Sequence, residues 1–150
     1  MFPNEISEFI YTRTYARWLE EEGRRECWPE TVERYIEFLQ KHTRSVPAKT
    51  IRKIRQYVTS FEVMPSMRML WAAGPAAERD STPIYNCSFA NIDCVTAFAE
   101  CLYILMCGTG FGFSVANKNI EKLPEIPFLN GESKPQYIVM DTKEGWADSL

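Results

Sequence analysis

Several things are scarce in this chain, and each scarcity removes a class of function. There is one histidine, His42, and the five cysteines, at 27, 87, 94, 101 and 107, contain no Cys-x-x-Cys pair. That argues against a structural zinc site and against a secreted disulfide framework, and the cysteines are expected as thiols of a reducing compartment. Long apolar runs are missing, and the N-terminus, MFPNEISEF, has neither a basic n-region nor an apolar h-region. No signal peptide or membrane span is expected, which makes the expected location cytoplasmic. Positive charge is not in excess: 17 Lys+Arg against 20 Asp+Glu leave −3, so direct nucleic-acid binding is not expected. Internal repeats and low-complexity stretches are absent. What remains, 150 residues at 45% apolar and 25% charged, is one soluble domain's worth of core.

Periodicity predicts helices over the first sixty residues. Ile6, Phe9, Ile10, Tyr15, Trp18 and Leu19 suggest one apolar stripe ending at Gly23. Val32, Tyr35, Ile36 and Leu39 predict a helix after Pro29, and Ile51, Ile54, Val58 and Phe61 a third from about Ala48. The other face of that third helix carries Lys49, Arg52, Lys53 and Arg55, which could hold phosphate, although such faces are usually only solvated. Residues 67–73 read as extended, 74–84 as a polar loop, 85–90 as a strand, and 137–140 as another strand. Between them lies a strongly apolar helix with Val95, Phe98, Leu102, Leu105 and Met106 on one face, expected to be buried. Asp141 and Glu144 have capping-box spacing, so a helix is predicted there, close to the last residue. That ending suggests a truncated or split polypeptide.

The glycines at 108, 110 and 112 do not make a dinucleotide fingerprint, because the helix precedes them and the strand follows. They either let the backbone approach another group closely or cap the helix at Gly108. Cys87, between Asn86 and Ser88, is either a small buried hydrophobe or a reactive thiol. Asp93 and Asp141 read most simply as helix caps, and His42 as exposed.

Taken in order, MPSMRMLWAAGPA at 64–76, YNCSF at 85–89, YILMCGTGFGFSV at 103–115 and DTKEGWAD at 141–148 resemble the N-terminal part of class II, adenosylcobalamin-dependent ribonucleotide reductases. The likeness is nearest to the monomeric ribonucleoside-triphosphate reductase type. RWLEEEGRRECWPETVERY at 17–35 fits the same family. The resemblance implies an α/β fold, with an N-terminal helical layer over 1–62 and, over 63–150, the start of the family's ten-stranded α/β barrel with its effector region. It implies that Cys87 is one of two cysteines that reduce the ribose 2′ position. Ser66, Asn86, Gly108, Thr109 and Gly110 would lie at the ribonucleotide substrate, with main-chain N–H groups of the glycine loop as donors. Asn117, Lys118 and Asn119, with Asp93 at the ribose, would lie at a deoxynucleotide effector.

The same resemblance implies adenosylcobalamin in the complete enzyme, a complementary C-terminal part, a thioredoxin-like reductant and thiyl-radical chemistry. The radical cysteine, its Asn and Glu neighbours, the second reducing cysteine and the C-terminal cysteine pair have no counterpart in these 150 residues. Alone, the chain is expected to be inactive. The competing reading is a non-catalytic nucleotide-binding or assembly module derived from such a reductase.

Overall fold

Asn4 starts the first helix: its side chain accepts from the Ser7 N–H at 2.8 Å, and α1 then runs Glu5–Thr14. The computed structural model describes residues 2–126 and 136–150, and these fall into two units, Met1–Ile84 and Tyr85–Leu150. In the first unit the expected stripe of α1 does not form. Ile6, Phe9 and Ile10 are exposed, and Tyr11 is the buried residue. The helix stops at Thr14, so Trp18–Leu19 instead make a short strand, β1, antiparallel to β2 at Arg24–Arg25, with Gly23 at φ +61° between them. Tyr11 donates to the Glu26 carbonyl and shares a 2.8 Å hydrogen bond with Thr31; burial, partly offset by that bond, pushes its phenol up to about 12.

Helix α2, Trp28–His42, has Pro29 in its first turn, where the missing N–H costs nothing, and Glu30 reaches back to the Cys27 N–H at 2.7 Å. Its Val32 and Ile36 pack with Ile51 and Val58 of α3, Ala48–Thr59, as the spacing predicts. Trp28 and Phe61 stack with ring centres 4.7 Å apart over this core.

Residues 67–72, expected to be extended, are helical: α4 spans Met67–Ala72, with the Ser66 hydroxyl accepting from the Met69 N–H at 3.4 Å. Six residues are too few for a period to show in sequence. What fixes α4 is remote. Arg34 of α2 donates to the Leu70 and Ala73 carbonyls at 3.1 and 2.7 Å and holds buried Glu26 at 2.8 and 3.0 Å. Its last donor bonds the Tyr15 carbonyl at 3.3 Å, so the whole guanidinium fork is used. The expected polar loop at 74–84 is also partly helical, with α5 at Pro75–Arg79 and a 3-10 turn at Thr82–Ile84. By compactness, residues 63–84 therefore go with the first helices, twenty-two residues beyond the expected boundary at 62–63.

The second unit is a strand, a helix and a parallel strand: β3 at Cys87–Asn91, α6 at Thr96–Met106 and β4 at Gly110–Ser114, paired Cys87 to Gly110 through Asn91 to Ser114. Parallel neighbours need such a crossover. A short α7 follows at Asn117–Ile120, and α8, Lys143–Asp148, packs on α6. Three expectations fail here. Helix α6 is not buried: Val95, Phe98 and Leu105 are about half exposed, and only Ala97 is enclosed. Residues 137–140 form no strand, since no described strand pairs with them. The cap of α8 is Thr142, whose hydroxyl accepts from the Gly145 N–H at 3.0 Å, while Asp141 accepts from the Trp146 indole at 3.4 Å. No helix among the described residues is long and apolar enough to cross a membrane.

Candidate functional site

The strand register sets the geometry around Cys87. Gly110 lies directly opposite it, and the Gly110 N–H donates to the Asn86 carbonyl at 2.9 Å. A Cβ at Gly110 would come within 3.3 Å of that carbonyl and 3.9 Å of the Cys87 sulfur. Glycine is thus used for close approach, at an ordinary φ. Gly108 is different: it takes φ +84° just past α6, and its N–H bonds the Leu105 carbonyl at 2.9 Å while the Thr109 N–H bonds Ile104 at 3.3 Å. This is the Schellman pattern, so both sequence readings of the glycine cluster hold, each at its own residue.

Cys87 is exposed, not packed as a small hydrophobe. Thr109 is buried and donates its hydroxyl to the Tyr85 carbonyl at 3.0 Å, and Ser88 donates to the Gly110 carbonyl at 3.1 Å. These two bonds pin the strands on either side of Cys87. The structure therefore brings Asn86, Cys87, Gly108, Thr109 and Gly110 together. It corrects one point of the expectation: the N–H groups of 108, 109 and 110 are all bonded within the chain and are not spare donors. Ser66 belongs to the first unit, where it caps α4.

Of the expected effector residues, Asp93 is not a helix cap; Val95 precedes α6, and the Asp93 carboxylate pairs with Lys122 at 3.0 Å. Asn119 is buried, with its amide 3.4 Å from the Ser114 hydroxyl, whereas Asn117 and Lys118 are exposed on α7. The pair Asp93 and Lys122 joins the end of β3 to the segment after α7. Sequence reasoning missed Ser88, Lys122 and Lys143, the last of which donates to the Cys107 sulfur at 3.2 Å and lies over the Tyr103 ring. Contacts between residues 29 and 36 apart have no local signal in sequence.

The family model for the ribonucleotide reductase alpha domain matches residues 1–75. The chain belongs to the ribonucleotide reductase alpha family. It is 31% identical to the adenosylcobalamin-dependent ribonucleoside-triphosphate reductase of Lactobacillus gasseri over 81% of this chain and 21% of that protein. The protein of the same name from Lactobacillus leichmannii is 29% identical over 93% and 23%. The crystal structure of a B-12-dependent, class II ribonucleotide reductase superimposes with a TM-score of 0.66 and 27% identity, covering 95% of this chain and 28% of that one. The class II assignment and the α/β fold, N-terminal helices followed by an incomplete set of barrel elements, rest on these matches. The chain spans between a fifth and a quarter of the length of these curated relatives.

Adenosylcobalamin is in the relatives' names. Among the described residues no three His, Cys, Asp or Glu side chains converge, and His42 is engaged with Glu78 at 2.9 Å. The apolar cleft beside α6, lined by Ile92, Phe98, Leu102, Leu105 and Phe113, offers no nitrogen or oxygen side chain to an amide-bearing corrin. The described residues do not form a cobalamin site.

Proposed function

We propose that this chain is the N-terminal part of an enzyme that reduces ribonucleotides to 2′-deoxyribonucleotides by thiyl-radical chemistry, with Cys87 as one of the two reducing thiols. The observation that carries the reading is Cys87 itself. It stands exposed at the start of β3, opposite Gly110 of β4, which has no side chain to cover it. In the step assigned to it, two thiols give two hydrogens, the 2′-hydroxyl leaves as water, and the sulfurs end as a disulfide that an external dithiol reduces. The partner thiol, the radical cysteine and adenosylcobalamin belong to the remainder of the enzyme. Asn86 and the 108–110 loop form the wall of the substrate site. Because the loop's N–H groups are already bonded, they act by shape, leaving the Asn86 side chain as the polar contact. Ser66 joins this substrate set, and Asp93, Asn117, Lys118 and Asn119 the effector set; a cytoplasmic location and a thioredoxin-like reductant follow from the same reading.

The test is Cys87→Ser in the complete reductase, supplied with a dithiol. Multiple turnover should be lost while cobalamin binding and the melting temperature stay close to wild type. Turnover near wild type would remove Cys87 from the chemistry and leave a nucleotide-binding or assembly module as the better description.

A further inference from the structure

The basic face of α3 takes no part in the proposed reductase chemistry, and of its four cations Arg55 alone has a carboxylate partner, Glu33, among the described residues. The helix carries Lys49, Arg52, Lys53 and Arg55 and no acidic residue, in a chain whose net charge is −3. Among the described residues, the side chains of Lys49, Arg52 and Lys53 make no hydrogen bond or ion pair, whereas those of Arg17, Arg24, Arg34, Arg55 and Lys122 are all engaged. Arg52, Arg55 and Gln56 line a shallow cleft of about 520 Å³ with Thr59 and Ser60. The Thr59 hydroxyl donates to the Arg55 carbonyl and the single Ser60 proton is taken up by Glu62 and the nearby helix carbonyls, so the outward donors are the guanidinium groups and the Gln56 amide. Arg55 is held by Glu33 of α2 at 2.7 Å, and its Nε is the one buried side-chain nitrogen or oxygen among the described residues that lacks a partner. Two carboxylates bond to residues that line the cleft, Glu33 to Arg55 at 2.7 Å and Glu62 to the Ser60 hydroxyl at 2.7 Å.

We infer that this cleft binds a small polyphosphate anion. Its phosphate oxygens would be received by Arg52 and Arg55, with Lys49, three positions before Arg52, as the flanking charge. Positions 52, 55, 56 and 59, which line the cleft, lie three and four residues apart, hence on one side of the helix, and guanidinium forks suit phosphate oxygens geometrically. A small anion fits better than a nucleic acid. The patch is one helix of 12 residues, about 18 Å long, and the rest of the chain is net negative, so an extended polyanion would be repelled beyond it.

Inorganic triphosphate is the probe, because a nucleotide would also be drawn to the substrate and effector sites of the proposed function. Titration calorimetry on the intact protein at low salt should show saturable binding, weakened about tenfold by Arg52→Gln and unchanged by Arg79→Gln, a control cation on α5. The Arg52 side chain has no partner among the described residues, so its loss should leave the melting temperature alone, and the affinity readout stays interpretable. A nucleoside triphosphate competing with the probe in an Arg52-dependent way identifies a nucleotide as the source. Competition by inorganic polyphosphate alone identifies the free anion. Absence of saturable binding, or binding that Arg52→Gln leaves intact, overturns the inference. So does an oligonucleotide that binds the same face more tightly than triphosphate does. None of these outcomes depends on Cys87, so this inference and the reductase reading can fail separately.

Discussion

At the scale of the residue, two neighbours in sequence do different work. Gly110 has no Cβ because one would press on the Asn86 carbonyl and approach the Cys87 sulfur, while Cys107 is buried at the end of α6 against Lys143. Gly110→Val should push β4 away from Asn86 and crowd the thiol. In the complete reductase it should raise KM for the ribonucleotide severalfold or more. Cys107→Ala removes one small buried group and should cost on the order of 1–2 kcal/mol of stability with substrate affinity kept. Affinity and urea denaturation measured on both variants separate the two roles; a Gly110→Val enzyme that binds substrate normally and loses only stability would make the loop structural. A spacing pattern brought attention to both glycines, but only the register showed that Gly108 turns the chain and Gly110 admits a neighbour.

At the scale of the element, the strongest dependence in the first unit is that of α4 on α2. Arg34 satisfies the Leu70 and Ala73 carbonyls and pairs with Glu26, whose carboxylate also accepts from the Arg17 N–H and the Thr31 hydroxyl. Arg34→Ala would leave a buried charge and two helix-end carbonyls without donors, and should destabilise the protein by about 3–5 kcal/mol in urea titration. Burial alone would raise the Glu26 carboxyl, but the bonds from Arg34, Arg17 and Thr31 outweigh it and hold the group below its usual range. A depressed carboxyl contributes stability that is full above its unfolded value of about 4.3 and is lost as pH falls through the folded one. Glu78, held low by His42 and Lys41, and Glu30, held low by Arg24, act in the same direction. The melting temperature should therefore be level from neutral pH down to about 5 and fall below about 4, with a shallower fall in Glu26→Gln; an equal slope in that variant would show that Glu26 is not a source of the acid sensitivity.

At the scale of the whole molecule, the second unit exposes apolar side chains that no described element covers. Phe98 and Leu105 of α6, Phe89 and Phe113 of the strand pair, and Ile138 and Met140 are all open, and a two-stranded parallel sheet leaves both edges unpaired. Such surfaces associate. The 150-residue chain expressed by itself should form oligomers or bind a hydrophobic dye, by size-exclusion chromatography with light scattering and by fluorescence. A dye-silent, heat-stable monomer would mean that these faces are closed in solution. The same exposure explains why an apolar helix was expected to be buried: sequence records the need for a covering surface, and the structure shows whether that surface is present.

The sequence by itself determined the elements whose signal is local. The 3-4 spacing of Val32, Ile36, Ile51 and Val58 specified α2, α3 and the faces they bury, and the order helix, glycine, strand by itself excluded a dinucleotide loop. The resemblance singled out Cys87, which packing statistics alone would have left as a core residue. What only the tertiary structure decided depends on partners far along the chain. Arg34 makes 67–72 a helix, Thr142 in place of Asp141 caps α8, and residues 137–140 lack a partner and form no strand. The exposure of Cys87 opposite Gly110, twenty-three positions away, belongs to this second group. A period or a cap is written in residues a few positions apart, whereas strand pairing, burial and the satisfaction of helix-end carbonyls are set by whichever distant groups the fold brings within hydrogen-bonding distance.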